Sequence, residues 1–198
     1  MRELSRTRLV LIIGGLFAAT FGVISYAQTS TPTILGQGNM EYSELTGGPA
    51  TFTARRLIIE AGAPASAWHY HPGMILAAVG DRTEPITNNG SVTIEDGCGG
   101  SETFGPGQAF HQIDGRVHRA VNNSGQNVEE HNMFINAQGS PLTVNLPGQQ
   151  CGPPKDVDEC MNDSWANFDF PTTFENQGAC IKYVINRPKN ELLDPAFP

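Results

Sequence analysis

Between residues 51 and 148 the chain is a series of short β-prone segments separated by turn residues. "TFTARRLIIEAG" from Thr51, "MILAAVG" from Met74 and "VEEHNMFIN" from Val128 combine β-branched and apolar residues, in part alternating with polar ones. The 198 residues include 22 Gly and 14 Pro, a composition typical of frequent turns. Short strands at this spacing predict an all-β fold, an antiparallel sandwich or barrel. No helix longer than two turns is expected before residue 150.

The first 27 residues have the features of a secretory signal peptide. Three arginines precede an apolar run from Leu9 to Ile24, and Ser25 and Ala27 supply small residues at the −3 and −1 positions of a cleavage site. Because the run is short for a membrane span, we expect cleavage before Gln28, with an uncleaved N-terminal anchor as the alternative. Either outcome predicts an exported protein, periplasmic or secreted.

The net charge limits the classes of partner. The formal net charge is −8, and removal of residues 1–27 with their three Arg and one Glu would make it −10. An acidic surface repels nucleic acid and anionic membranes. We therefore expect no nucleic-acid partner and no membrane contact beyond an N-terminal anchor. A small-molecule ligand is the expected partner, and a homodimer is an open alternative to a monomer.

The composition divides the mature chain into three parts. Residues 28–45 are polar with Pro and Gly and are expected to form a flexible lead-in, residues 46–147 the barrel, and residues 148–198 a small C-terminal extension. The sequence has four cysteines, which are Cys98, Cys151, Cys160 and Cys180. An even count in an exported chain predicts two disulfides, and no C-x-x-C pair indicates a zinc site. The count alone leaves three connectivities open.

Two histidines in "WHYHPG", His69 and His71, form a candidate half-site for a metal ion. In a strand, residues i and i+2 share a face, and a rise of roughly 3.3 Å per residue places their Cβ atoms about 6–7 Å apart. Both rings then converge on one ion with metal–nitrogen bonds of about 2 Å. Tyr70 and Trp68 would face the other way, into packing. The alternative is a pair of hydrogen-bonded histidines without metal.

A second motif follows, and the two together resemble the cupin family. Its residues are Gly107, Gly115, His118 and Asn122, with Ile113 where the family usually has Pro. In the first motif Gly62 precedes His69-Tyr70-His71 by six residues rather than five, and Ile75 and Leu76 occupy the places of the usual glutamate. The resemblance covers residues 51–146. It implies a cupin-type antiparallel jelly-roll barrel with a pocket inside it.

The same resemblance implies a set of metal ligands. His69, His71 and His118 match the three histidine ligands of metal-bearing cupins, whereas the carboxylate ligand has no match. A neutral three-histidine site suits Zn, Fe, Ni or Cu better than a hard ion such as Mn, and it leaves coordination positions open.

Gln112 and His111 are the candidates for an additional ligand. They are neighbours on one predicted strand, so only one of them can point inward. If Phe110 lines the pocket, Gln112 joins it and His111 faces outward. The hydrophobic pattern leaves both arrangements open. His131, which follows two glutamates, is interpreted as a surface residue.

Several catalytic classes are excluded by missing motifs, which leaves three readings of the pocket. The sequence contains no G-x-S-x-G elbow, and the glycine-rich "GCGGSETFGPG" lacks the Lys and Ser or Thr of a phosphate loop. The pocket would bind a small molecule, through a metal or by direct hydrogen bonds. The alternative is a metal-dependent cupin enzyme, of oxygenase or isomerase type, acting on a small organic substrate. An inert pocket in a structural protein is the third reading.

The C-terminal segment is similar to a short module at the ends of exported bacterial proteins. The matching residues are Cys160, Trp165, Phe168, Phe174, Asn176, Gln177, Gly178 and Cys180. The module brackets its tryptophan between two cysteines and so implies a Cys160–Cys180 bond. Cys98 and Cys151 then remain as the second pair, which would tie the extension to a barrel loop.

Overall fold

The computed structural model describes residues 30–63, 65–80, 90–112 and 115–186, and the signal-peptide prediction for residues 1–27 lies outside them. Within these ranges the chain is mostly β, with two short 3-10 segments and one helix near the C-terminal end. The strands are β1 (Ser30–Ser43), β2 (Gly48–Ile59), β3 (His69–Tyr70), β4 (Met74–Val79), β5 (Val92–Asp96), β6 (Ser101–Phe104), β7 (Ala109–Gln112), β8 (His118–Val121), β9 (Val128–Ala137) and β10 (Val144–Asn145). The 3-10 segments are Asp158–Cys160 and Ser164–Asn167, and helix α1 is Gln177–Asn186.

The strands form two antiparallel five-stranded sheets. The first sheet has the order β1-β2-β9-β4-β7, and the second has the order β10-β3-β8-β5-β6. In each sheet, strands that are distant along the chain lie side by side, as β2 and β9 do over ten paired positions from Ala50–Ala137 to Ile59–Val128. The all-β antiparallel architecture expected from the segment pattern is confirmed.

The interior of the two sheets is apolar at one end and polar at the other. Five buried residues form a core cluster where β2 and β4 end and where β5 and β9 begin, namely Ile59, Ala63, Val79, Val92 and Val128. Further along β9 the inward positions are Glu130, Asn132, Phe134 and Asn136, all at most 4% exposed. The alternation of strand side chains thus continues past the core into buried polar groups.

The lead-in expected over residues 28–45 is instead largely a strand. β1 runs antiparallel to β2 from Ser30–Ile59 to Ser43–Gly48, so the first sheet begins before residue 46. Most of β1 is exposed because it lies at the sheet edge. Gly36, Gly38 and Pro32 weaken the intrinsic strand propensity of β1. The strand is stabilised instead by its long pairing with β2. The sequence pattern alone therefore did not reveal it.

The extension after residue 147 packs through its own small cluster. The structure joins Cys98 to Cys151 and Cys160 to Cys180, the two pairs expected from the sequence. The apolar residues of the cluster, which surround the cysteines, are Trp165, Phe168, Phe174, Ile181 and Val184. A segment of this size buries little surface by itself, so covalent links have a large share in holding it.

Arg116 connects the extension to the barrel. Its side chain, 9% exposed, forms ion pairs with Asp96 at 2.8 Å and with Glu159 at 2.9 Å, and it donates to the Pro153 carbonyl at 2.7 Å. The next backbone N–H, that of Val117, donates to the Gly152 carbonyl at 2.9 Å. The extension is therefore bonded to the segment that leads directly into β8.

No helix in the described ranges is long and apolar enough to cross a membrane.

Candidate metal centre

Strand pairing brings the three motif histidines together. His69 in β3 lies opposite His118 in β8, and His71 follows two residues later on the same side as His69. Tyr70, between them, faces away and packs against Phe170 of the extension at 5.1 Å between ring centres. The side chains point as the H-x-H spacing predicts for a strand.

The turns around the histidines depend on two glycines. Gly73 follows His71 and Pro72, and a Cβ atom there would collide with the Asn136 side chain and the Ile135 carbonyl of β9. Gly115 precedes β8 with φ of +63°, in the left-handed region that favours glycine. Asn122 of the second motif, in contrast, takes no part in the site, because its Nδ2 donates to backbone carbonyls of nearby loops.

The three rings form a compact triangle. The centre of the His69 ring lies 5.0 Å from that of His71 and 4.4 Å from that of His118, and His71 and His118 are 5.0 Å apart. One ring nitrogen from each residue lies within 4.8 Å of the other two. Two nitrogens that each lie about 2 Å from one ion are at most about 4 Å apart, so small side-chain shifts would be needed to bring all three onto one ion. Among the described residues no carboxylate or thiol joins the group.

Backbone carbonyls hold each ring by its Nδ1 atom. His69 Nδ1 bonds to the Ala67 carbonyl at 2.7 Å, His71 Nδ1 to that of Leu142 at 2.7 Å, and His118 Nδ1 to that of Arg116 at 2.8 Å. Since a carbonyl only accepts, each Nδ1 carries the proton and donates it. Each Nε2 is therefore left unprotonated in the neutral ring, which is the form that binds a metal ion.

The environment keeps the rings neutral. Burial, together with the neighbouring His69, lowers the pKa of His118 to about 3, against the opposing effects of the Arg116 carbonyl and of Asp96. Burial also lowers the pKa of His71 well below its ordinary value, together with the charges of His118 and His69. The pKa of His69 is lowered by burial and, to a smaller degree, by Arg55. Protons therefore compete weakly with a metal ion at neutral pH.

The triangle lines a small cavity between the two sheets. Its volume is about 260 Å³, just below the roughly 300–1,000 Å³ of cavities that hold drug-sized ligands. Apolar side chains line part of it, including Leu57, Ile59, Ile75, Ile94 and Phe110. The polar lining residues are Ser30, Arg55, Ser66, His69, His71, Gln112, His118, Glu130, Thr143 and Asn145. The arrangement suits a small polar molecule next to the histidines.

Strand β7 shows which of the two candidates for an additional ligand points inward. Phe110 and Gln112 line the cavity, whereas His111 is exposed on the outer face. Gln112 pairs with Ile75, one of the two residues at the place of the missing glutamate, and its Oε1 is buried with no hydrogen-bond partner in the described part of the chain. A neutral amide oxygen therefore lies next to the position where the family's carboxylate is absent. His131 is half-exposed and pairs with Glu129 at 3.0 Å, as its surface interpretation requires.

Sequence reasoning missed the charged residues of the cavity. Arg55 of β2 lies opposite Asn132 of β9, and its Nε and Nη2 donate to Asn132 Oδ1 at 3.1 and 2.8 Å. Asn132 Nδ2 donates in turn to Glu130 Oε2 at 3.2 Å, while Glu130 Oε1 is buried and has no partner within the described ranges. Burial raises the pKa of Glu130, against the opposing effects of Asn132 and Arg55. The alternation of side chains along a strand could have revealed Glu130: if His131 faces outward, its neighbours Glu130 and Asn132 must face inward.

The sequence matches no protein-family model and no curated protein. Similar solved structures include the Cupin_2 domain of an XRE-family transcriptional regulator from Enterobacter cloacae, with 18% identity, coverage of 54% of this chain and 96% of that chain, and a TM-score of 0.37. A cupin domain from Bordetella pertussis Tohama I has 17% identity, coverage of 55% and 94%, and a TM-score of 0.37. A polyketide cyclase from Streptomyces resistomycificus has 16% identity, coverage of 69% and 87%, and a TM-score of 0.39. All three TM-scores are below 0.5, so the likeness carries no argument about this chain.

Proposed function

We propose that this protein, whose fold is of the cupin type, binds a small molecule in a cavity where His69, His71 and His118 hold a divalent transition metal ion. The observation that supports the metal site is the fixed tautomer of the three rings. Each Nδ1 donates to a carbonyl, so three unprotonated Nε2 atoms are left for one ion. Three neutral nitrogen ligands favour Zn, Fe, Ni or Cu over a hard ion.

The chain's own residues account for most of what the site would do. A bound ion would act as a Lewis acid toward an oxygen of the ligand. The carbonyls of Ala67, Leu142 and Arg116 keep the rings in place, which favours metal affinity because the ligands need little reorientation. Gln112 adds an acceptor oxygen within the same cavity. The volume of about 260 Å³ limits the bound molecule to one smaller than a drug-sized ligand.

Metal binding is tested on purified protein by equilibrium dialysis against Zn²⁺, followed by elemental analysis. We expect one equivalent per chain in the wild type. His118→Ala should lower the affinity by 10³-fold or more, an order-of-magnitude expectation for removing one of three ligands. His111→Ala is the matched control, because this histidine is exposed on the outer face of the barrel. It should bind zinc as the wild type does.

If the wild-type protein does not bind stoichiometric zinc, the proposed metal site is contradicted. Equal loss in the His118→Ala and His111→Ala variants would show that the loss is not specific to the buried triad, which contradicts the proposed site. Circular dichroism of both variants checks that the β-fold is retained.

A metal-dependent enzyme is the second candidate, and Glu130 is the observation that favours it. This carboxyl group lines the cavity, and burial raises its pKa, so it keeps its proton to a higher pH than an ordinary glutamate and can serve as a proton donor. The test is a mass-spectrometric screen of metal-loaded protein against small polar organic compounds. Turnover that Glu130→Gln abolishes while ligand binding persists supports the enzyme. A wild type that binds ligands and turns over none supports the binding protein.

Export to the periplasm or the medium is part of the proposal. The two disulfides support it, because such bonds persist in oxidising compartments. The cleavage site lies outside the described residues. Mass spectrometry of the protein recovered from the periplasmic and secreted fractions of a bacterial expression host should show a mature N-terminus at Gln28. Recovery only in the cytoplasm with Met1 retained contradicts export.

A further inference from the structure

Arg55 is a cation inside the cavity that the proposed metal site does not use. Its Nε and Nη2 donate to Asn132 Oδ1, and its Cζ lies 4.8 Å from the centre of the Phe134 ring. Within the described ranges its guanidinium has no further hydrogen bond and no carboxylate at ion-pair distance. Three of the five guanidinium N–H donors expected of any arginine are therefore open to a ligand.

The open donors have the geometry of a carboxylate site. Two bonds from Nε and Nη2 to one oxygen occupy the side edge of the guanidinium. The end edge keeps parallel N–H groups from Nη1 and Nη2, and a carboxylate binds such a pair with both of its oxygens. Because Arg55 lines the cavity, a small carboxylate inside the cavity can reach this edge.

The charge of the cavity favours an anion. Its titratable lining residues are Arg55, Glu130 and the three histidines. Among the described lining residues Arg55 has a permanent charge, and burial raises the pKa of Glu130, which favours the uncharged form of that carboxyl group. Burial also lowers the pKa of Arg55, but a guanidinium group stays protonated in proteins. The cavity is thus positive inside a chain whose net charge is −8.

We propose that the cavity binds a small hydroxycarboxylate, with its carboxylate on the end edge of Arg55 and its hydroxyl between Gln112 and Glu130. Gln112 Oε1 and Glu130 Oε1 are both buried without a partner among the described residues, and a ligand hydroxyl would donate to the Gln112 oxygen and accept from the protonated Glu130 carboxyl. This inference deepens the proposed function by naming the ligand class of the same cavity. The contact with Arg55 does not itself require the metal.

Three probes of similar size separate the parts of this inference: lactate, propionate, which lacks the hydroxyl, and lactamide, which lacks the charge. Calorimetric titration of chelator-treated wild type measures all three. We expect lactate to bind about tenfold or more tightly than lactamide, because a charge-assisted bidentate contact is lost. Propionate should bind more weakly than lactate by a few-fold, about the effect of one hydrogen bond.

Variants of two adjacent arginines give the matched comparison. Arg55→Lys keeps the charge but loses the bidentate edge, and we expect lactate affinity to fall by about tenfold. Arg55→Met should abolish saturable binding. Arg56 is the next residue in β2 and lies opposite the outward-facing His131. Arg56→Met should therefore bind lactate with wild-type affinity.

Equal binding of lactate and lactamide by wild-type protein would overturn the carboxylate site, and this comparison needs no variant to fold. No saturable lactate binding, or wild-type affinity in a folded Arg55→Met protein, would overturn it as well. Equal binding of lactate and propionate would overturn the hydroxyl contact. Zinc uptake is measured separately on the same preparation, so failure of the metal site and failure of the carboxylate site are different results.

Discussion

The two sheets line one cavity with different chemistry. The histidine wall consists of His69, His71 and His118, at and beside β3 and β8, and the arginine wall consists of Arg55, Glu130 and Asn132 on β2 and β9. The histidines bond to backbone carbonyls, whereas the arginine wall bonds through side chains. Backbone anchoring fixes a tautomer and leaves one free nitrogen per ring. Side-chain anchoring leaves donors and acceptors open, which suits an organic ligand.

The largest effect is expected where the two walls meet. Phe134 is fully buried, 5.5 Å from the His71 ring centre and 4.8 Å from Arg55 Cζ. Phe134→Ala should lower the free energy of unfolding by about 3–5 kcal/mol, since it removes a buried ring and leaves a cavity. Because the ring supports both walls, zinc and carboxylate affinities should fall together. Urea unfolding and calorimetry measure these quantities.

Phe104→Ala is the control for that variant. Phe104 stacks on Phe110 at 4.5 Å and packs against the apolar core at the other end of the barrel. Its replacement should lower stability and leave zinc affinity unchanged. A folded Phe134→Ala protein with wild-type zinc affinity would show that the walls do not depend on the ring between them.

The second effect is the response of the metal-free protein to pH. The folded pKa of His118 is about 3, below its ordinary 6.5, so between these values the unfolded chain binds a proton that the folded chain does not. Stability should therefore fall as pH drops below about 6.5, by up to about 1.4 kcal/mol per pH unit for each such group. His69 and His71 have lowered pKa values too, and act in the same direction.

Glu130, on the arginine wall, should change the stability with pH in the direction opposite to the histidines. Its pKa is raised from 4.5, so above that value the folded protein holds a proton that the unfolded chain has lost. One carboxyl thus opposes three histidines, and the net slope keeps the sign of the histidine wall. Glu130→Gln should steepen the slope between pH 4.5 and 6.5, and His118→Ala should flatten it. Urea midpoints across this range measure both, and stability that rises on acidification would contradict the assignment.

The histidine wall could be predicted from the sequence, and the arginine wall could not. The H-x-H spacing and the second motif indicate His69, His71 and His118, because strand periodicity fixes which residues share a face. Arg55 and Glu130 were missed because charged residues are rarely buried, so the default interpretation places them at the surface. Their burial depends on the register of β2 against β9, which is a long-range property. The position of Gln112 could be predicted only in part, because the sequence did not show whether Phe110, and with it Gln112, points into the cavity.

The smallest effect concerns the support of His118 by the extension. The Arg116 carbonyl accepts from His118 Nδ1, while the Arg116 side chain bonds to Asp96, Pro153 and Glu159. Arg116→Met should therefore weaken zinc binding by about 10–100-fold, the usual cost of losing support behind a ligand. The control is Arg119→Met, because Arg119 forms a partly exposed pair with Glu95 at 2.6 Å. Such a pair contributes roughly 0–1 kcal/mol, so zinc affinity should stay near wild type.

Because the extension supports His118, the site can be completed only late in the synthesis of the chain. A ribosome makes His69 and His71 first, and His118 emerges next; the Pro153 carbonyl and Glu159 that hold Arg116 come only afterwards. A nascent chain halted at residue 147 would contain all three histidines of the site and would still lack the residues that hold Arg116 behind His118. The ion would thus find its full binding site only in a chain whose C-terminal part has been made and has closed onto the barrel.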